Sequence, residues 1–172
     1  MRKFIFSTTA VLSLLLIGSG LFVMNADSTP NVAPVATVQP VQKPQPPTVD
    51  ELLRLVNEER AKVGVAPLVI DARLNQSAQK KADDMVKNNY FAHVSPVDGR
   101  QGYTYIFDVM PECKEGSENY YFHDKRASSE LALDWWRQSP PHIKAIRDPN
   151  YYSTGFGISA DRVVVEHFCT LK

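Results

Sequence analysis

The 172-residue chain is poor in cysteine, has no net charge and shows no internal repeat. Its 19 basic residues balance its 19 acidic ones, and the Lys and Arg form no stripe or cluster. A protein without a basic face lacks the electrostatic footprint that nucleic acid requires, so that partner is excluded. Without repeats, a chain of this length is one domain plus extras. Only Cys113 and Cys169 are available for a bridge.

What is present begins with an apolar run. Arg2 and Lys3 precede Phe4 to Val23, and Ala26 supplies a small residue beyond it. Residues 1–26 therefore read as a secretory signal segment, although Met24 stands where a small residue is preferred. The run is also about 20 residues long, enough for an uncleaved membrane anchor. No cysteine follows it, which excludes lipid attachment there. Both readings put the remainder outside the cytoplasm, secreted or anchored on the outer side of the cytoplasmic membrane, with membrane contact only through residues 4–23. Once Arg2 and Lys3 are set aside, 17 basic residues face 19 acidic ones, a net charge of −2. In an exported chain a single cysteine pair reads as one disulfide, the alternative being two buried thiols. A bridge from Cys113 to Cys169 is worth about 4 kcal/mol in the chain-entropy model. It would tie the Glu118 segment to the last strand.

Residues 27–47 hold six prolines, Pro30, Pro34, Pro40, Pro44, Pro46 and Pro47, among small and polar residues. Such a segment cannot bury enough apolar surface to order itself and reads as an extended spacer. Residues 48–172 read as the folded domain. Thr48-Val49-Asp50-Glu51 has capping-box spacing, and Leu52, Leu53, Val56 and Ala61 follow at roughly helical intervals. Asp71 can cap a second helix, from about Ala72 to Asn88, leaving Tyr90, Phe91 and His93 just past its end. A third helix is expected from Ser128 or Ser129 to Gln138. Pro140-Pro141 stops it, and a short turn of helix then carries His142. Thr154–Ser159 and Arg162–Cys169 read as a terminal hairpin. Helices followed by strands imply an α+β or layered αβα domain.

Three short signatures carry the chemistry: His93-x-Ser95-Pro96, Glu118-Asn119 and Trp136-x-x-Ser139-x-x-His142. Two imidazoles and a carboxylate can share a proton, polarise a water or hold a divalent metal. Each signature alone has a plain reading: a loop histidine, a solvated loop carboxylate, a histidine at a helix end. Ser139 is expected to cap the turn into Pro140. His167, on one strand face with Val163, Val165 and Cys169, is expected to pack rather than ligate. His123-Asp124 reads as a surface pair. Trp135, Trp136, Tyr120, Tyr121, Tyr151 and Tyr152 are candidates for an aromatic wall suited to sugar or peptide, with at least half of them in the core.

The ordered set resembles the CAP superfamily: cysteine-rich secretory proteins, insect antigen 5 and plant pathogenesis-related proteins. Within it, the bacterial SCP-like branch is the nearest pattern. The resemblance runs from Val49 to Cys169. It includes Leu53-x-x-Val56-Asn57-x-x-Arg60, Phe91-x-His93-x-Ser95-Pro96, Gly155-x-Gly157 and Val165-x-x-Phe168-Cys169. It implies a three-layer αβα sandwich with a central antiparallel sheet and an open cleft holding two histidines and acidic residues, with zinc bound there in some members. By motif, His93 and His142 are the histidines and Glu118 the acidic residue, whether as catalytic or as metal-binding groups. Eukaryotic members carry a second glutamate where this chain has Ser139, so the full tetrad is absent; family members also usually have a glycine where this chain has Ser117, which bears on the local loop.

These residues leave three functions open. One is an extracellular or envelope binding module for a glycan, lipid or protein. Another is a metal-dependent or acid–base hydrolase of peptide or glycan. The third is a structural adhesion domain whose histidine cleft is vestigial. The binding module is favoured, because Ser95 and Ser139 are the only hydroxyls in the motifs and neither is placed as a nucleophile by sequence alone.

Overall fold

A computed structural model describes residues 45–171, so the signal or anchor reading of residues 1–26 and nearly all of the proline-rich spacer lie outside the described residues. Among the described residues, no helix is long and apolar enough to cross a membrane. The elements run α1 (Val49–Ala61), β1 (Val69–Ile70), α2 (Ala72–Lys87), α3 (Tyr105–Val109), β2 (Cys113–Phe122), α4 (Ser129–Gln138), α5 (Pro140–Ile146), β3 (Ser153–Ser159) and β4 (Val163–Leu171). The fold is α+β, with helices on both faces of a sheet ordered β1-β3-β4-β2. Three strands are antiparallel, and the two-residue β1 adds a parallel edge beside β3.

The helix starts follow from side chains that accept the first free amides. Thr48 caps α1 through the Glu51 amide, Asp71 caps α2 through the Arg73 amide, and Ser128 caps α4 through the Leu131 amide. Pro140 and Pro141 open α5 rather than merely ending α4, because the first helical positions need no amide donor.

Each face of the sheet has its own core. Even-numbered β4 residues Val164 and Phe168 pack with Leu52, Val56, Leu133 and Trp136 beneath α1, α4 and α5. Odd-numbered Val163 and Val165 pack with Ala78, Ala82 and Met85 of α2. Close approach of α2 to β3 requires glycine: a Cβ at Gly155 would lie 2.1 Å from the Asn75 amide nitrogen. Because β1 is so short, β3 has bare edge groups, and α2 supplies partners. Asn75 Oδ1 accepts from the Phe156 amide at 2.8 Å, and Gln79 Oε1 from the Ile158 amide at 3.0 Å.

The first-helix motif also has a structural meaning. Asn57 pairs with both the amide and the carbonyl of Leu68, at 2.7 and 3.0 Å, holding the chain as it leaves α1 for β1. Arg60 is buried and donates to the carbonyls of Ala66, Ile146, Asp148 and Tyr151. It ties the end of α5 to α1 and so helps place His142. Cys113 and Cys169 form a disulfide, closing β2 against β4.

Two expectations change. Glu118-Asn119 is in the middle of strand β2, not in a loop. Ser139 occupies the cap position of α5 but its side chain makes no capping bond.

Candidate functional site

Strand β2 is an edge strand, and its free edge is where the two helical layers meet. The Trp136 indole of α4 donates to the Tyr120 carbonyl at 3.0 Å, which satisfies one exposed edge group. Asn119 Nδ2 reaches the His142 carbonyl at 3.3 Å and fixes α5 beside the same edge. His93 arrives from the α2 side. Its carbonyl accepts from Lys81 Nζ at 3.1 Å and from the Gly102 amide at 2.8 Å. Lys81 is itself fully buried, with further bonds to the Ala92 carbonyl and the Tyr90 hydroxyl.

His93 and His142 thus face each other with ring centroids 5.8 Å apart, and Tyr120 meets the His93 ring edge-on at 4.8 Å. Together with Trp135, Gln138 and Ser139 they line a cleft of about 380 Å³. A hollow of about 390 Å³ beside Tyr152 and Leu171 is as large, but no histidine lines it. Chemistry rather than volume singles out the histidine cleft.

Glu118 is behind the cleft, not in it. Its side chain is 2% exposed, and both oxygens are engaged. Oε1 accepts from His93 Nδ1 at 2.8 Å, and Oε2 accepts from His167 Nε2 at 3.1 Å. Burial pushes the carboxyl up, but the two imidazole bonds and the Lys81 charge outweigh it and hold Glu118 below the usual carboxylate range. With Nδ1 on Glu118, His93 has Nε2 left for the cleft, and its side chain is 43% exposed. His142 is half-buried; desolvation, aided by the nearby His93, lowers its pKa below the ordinary histidine value. Its Nδ1 is buried and unpartnered, which leaves Nε2 for the cleft.

The three expected residues therefore assemble, with different stations. His93 and His142 front the cleft, and Glu118 orients His93. The residue that sequence reasoning underrated is His167. It is fully buried as expected, yet it hydrogen-bonds Glu118 directly and Ser77 Oγ on its other side at 2.8 Å. Strand alternation put it on one face with Val163, Val165 and Cys169; only the unseen β2–β4 register puts it opposite Glu118. Ser95 is buried, and its Oγ accepts from the Val97 amide at 3.3 Å. The aromatic wall reduces to Tyr120 and the 57% exposed Trp135, while Trp136, Tyr121 and Tyr151 belong to the core. His123 pairs with Asp124 at 3.2 Å on the surface.

Among the described residues, no group of three His, Cys, Asp or Glu side chains is arranged to hold a metal ion. The groups left that could hold a zinc would be two imidazole nitrogens, from His93 and His142, completed by water or ligand atoms. Glu118 would then be the carboxylate that orients a ligating histidine.

Comparison with known proteins agrees with this architecture. The chain is 36% identical over 111 residues to the uncharacterized protein YkwD of Bacillus subtilis, covering 62% of this chain and 40% of that protein. It is 29% identical over 121 residues to the uncharacterized membrane protein YlbC of the same organism, covering 68% and 33%. The chain thus spans well under half the length of these curated relatives. The fold is similar to that of an extracellular protein containing a SCP domain from Bacillus anthracis, with TM-score 0.64 and 23% identity over 71% of this chain and 40% of the other. It is also similar to an outer surface protein of Borrelia burgdorferi, with TM-score 0.63 and 20% identity over 72% and 92%. Residues 53–171 match the family described as CAP, the cysteine-rich secretory protein family, and the chain belongs to it.

Proposed function

We propose that this chain is exported and that its CAP domain is a binding module at the cell envelope, whose cleft takes a neutral, hydroxyl-bearing ligand such as a wall glycan. The observation that carries this reading is the character of the lining. His93, Tyr120, Trp135, Gln138, Ser139 and His142 include no lysine, arginine or carboxylate. A charged ligand would find no counter-ion there. An exposed indole offers a flat apolar face, while an amide, a hydroxyl and two imidazole nitrogens supply convergent polar groups. The apolar part is the two rings of Tyr120 and Trp135 rather than a tunnel, which favours a sugar over a lipid chain.

A hydrolase needs more than this. Among the described residues, no hydroxyl is hydrogen-bonded to His93 or His142, and the Glu118 carboxylate is turned inward with both oxygens taken. Zinc bound by His93 and His142 would supply a Lewis acid at the cleft. The chain's own groups hold and orient the ligand.

The reading is tested by calorimetry with N-acetylglucosamine oligosaccharides, and separately with zinc. Oligosaccharide binding should fall at least tenfold in Trp135→Ala and in the His93→Ala, His142→Ala double variant. Unchanged affinity in both variants, or preferential binding of lipid vesicles or of a protein, would overturn the glycan reading.

A further inference from the structure

Behind the cleft lies a string of groups that the binding reading does not use. Ser77, His167 and Glu118 are all buried, and they follow one another at hydrogen-bond distance toward His93. Ser77 Oγ is 2.8 Å from His167 Nδ1, His167 Nε2 is 3.1 Å from Glu118 Oε2, and Glu118 Oε1 is 2.8 Å from His93 Nδ1. A carboxylate only accepts, so the imidazole nitrogens facing Glu118 carry the hydrogens. Gly102 closes the carboxylate from the other side. A Cβ there would lie 1.8 Å from Glu118 Oε2, so no residue with a side chain fits while Glu118 holds its place.

The string settles which nitrogen of His93 meets the ligand. A neutral imidazole has one N–H, and an ionised, immobile acceptor at Nδ1 claims it. Nε2 is then a bare lone pair facing the cleft. The carboxylate would be free to turn away if it were held by His93 alone. His167 holds the second oxygen, and Ser77 Oγ, itself anchored on the Leu74 carbonyl at 3.0 Å, meets the far side of the His167 ring.

We propose that His167, backed by Ser77, is the positioning residue that pins Glu118 and thereby fixes His93 as a hydrogen-bond acceptor in the cleft. This rests on the cleft being the binding site and specifies its ligand further. The group seated on His93 is a donor, a hydroxyl or amide hydrogen, and a carbonyl or carboxylate oxygen is disfavoured there.

The test needs no ligand, so it fails or succeeds independently of the binding reading. The full chain, labelled with 15N at histidine and held at pH 8, reports each tautomer through long-range 15N–1H couplings. Wild type should show His93 protonated at Nδ1. His167→Met, similar in volume but without a donor, should convert His93 to a mixture of tautomers. His167→Gln, whose amide can donate to Oε2, should restore the wild-type pattern. Should His167→Met fail to fold, Gly102→Ala decides the matter, because its methyl displaces the same oxygen and should produce the same mixture. Protonation of wild-type His93 at Nε2 would overturn the proposal. So would an unperturbed His93 in the folded Met variant, or failure of the glutamine to restore it.

Discussion

Two buried carboxylates lie one residue apart on facing strands, and they have opposite fates. Glu118 of β2 is opposite His167 of β4, and Asn119 is opposite Glu166. Alternation sends the first pair toward α2 and the second toward α1, α4 and α5. Glu118 finds two imidazoles and the Lys81 charge, and its pKa is lowered. Glu166 is wholly buried, and desolvation pushes its pKa up to about 8 despite bonds from Asn119 and Thr154 and the Arg60 charge. Arg60 donates to four carbonyls and acts on Glu166 as a charge. Burial alone therefore does not determine a carboxyl's charge; the donors within reach do. One face of the sheet keeps a working anion behind a cleft. The other keeps a neutral acid as part of the core.

Breaking the ladder that carries both pairs should cost most. Cys113 and Cys169 are 56 residues apart and clamp the β2–β4 end next to Glu118. The double serine variant should lose about 4 kcal/mol of stability, seen as a lower urea midpoint. Replacing the two carboxylates one at a time then separates the faces. Glu118→Gln leaves the two imidazoles and Lys81 without their anion and should cost about 3 kcal/mol. Glu166→Gln at pH 6 removes a group that must take up a proton on folding, so it should cost nothing or stabilise, by about 1–2 kcal/mol. Equal losses in the two variants would mean that the faces do not differ in charge.

Dependence on pH sharpens the same contrast, because the two shifts have opposite signs. Glu166 has its folded pKa raised, from 4.5 to about 8. Its contribution is complete below the unfolded value and is lost as pH rises toward 8. The slope from this group is on the order of 1 kcal/mol per pH unit. Glu118, with its folded pKa lowered, contributes above 4.5 and loses its contribution as pH falls through the folded value. Denaturation midpoints from pH 5 to 8.5 should decline in wild type and decline less in Glu166→Gln. By pH 8.5 the variant should be the more stable by about 4 kcal/mol. Parallel curves for the two proteins would show that Glu166 is ionised throughout.

Little of this contrast is legible in the sequence. The caps Thr48, Asp71 and Ser128 stand out because capping is local, and the terminal hairpin because its apolar residues are continuous. Strand β2 reads as a loop because Cys113–Phe122 carries polar residues toward both faces: Glu118 for the α2 side, Asn119 for the other. An edge strand that buries polar pairs shows no apolar alternation. Helix α3, at five residues, is too short for a periodic signal. His93, Glu118 and His142 are recognisable through their motifs. His167 and Glu166 are not, since their importance lies in partners 49 and 47 residues away. The motif puts Glu118 among the ligating groups, and a motif cannot tell a carboxylate that faces a cleft from one that stands behind a histidine.

The smallest expected effect tests whether the two faces are independent. Thr154 is buried beneath both strands' chemistry: its Oγ1 lies 2.9 Å from the His167 carbonyl and 3.3 Å from Glu166 Oε1. The hydroxyl has one hydrogen, and a carbonyl can only accept it. That hydrogen can go to the His167 carbonyl or to Glu166 Oε1, and a valine offers it to neither. Thr154→Val should therefore cost about 1 kcal/mol at pH 6, where Glu166 holds its proton. The His93 tautomer should stay at Nδ1–H, because Thr154 touches only the backbone of His167 and leaves its ring to Ser77 and Glu118. A shift of the His93 nitrogen signals in this variant would show that the neutral core and the charged cleft are coupled through β4.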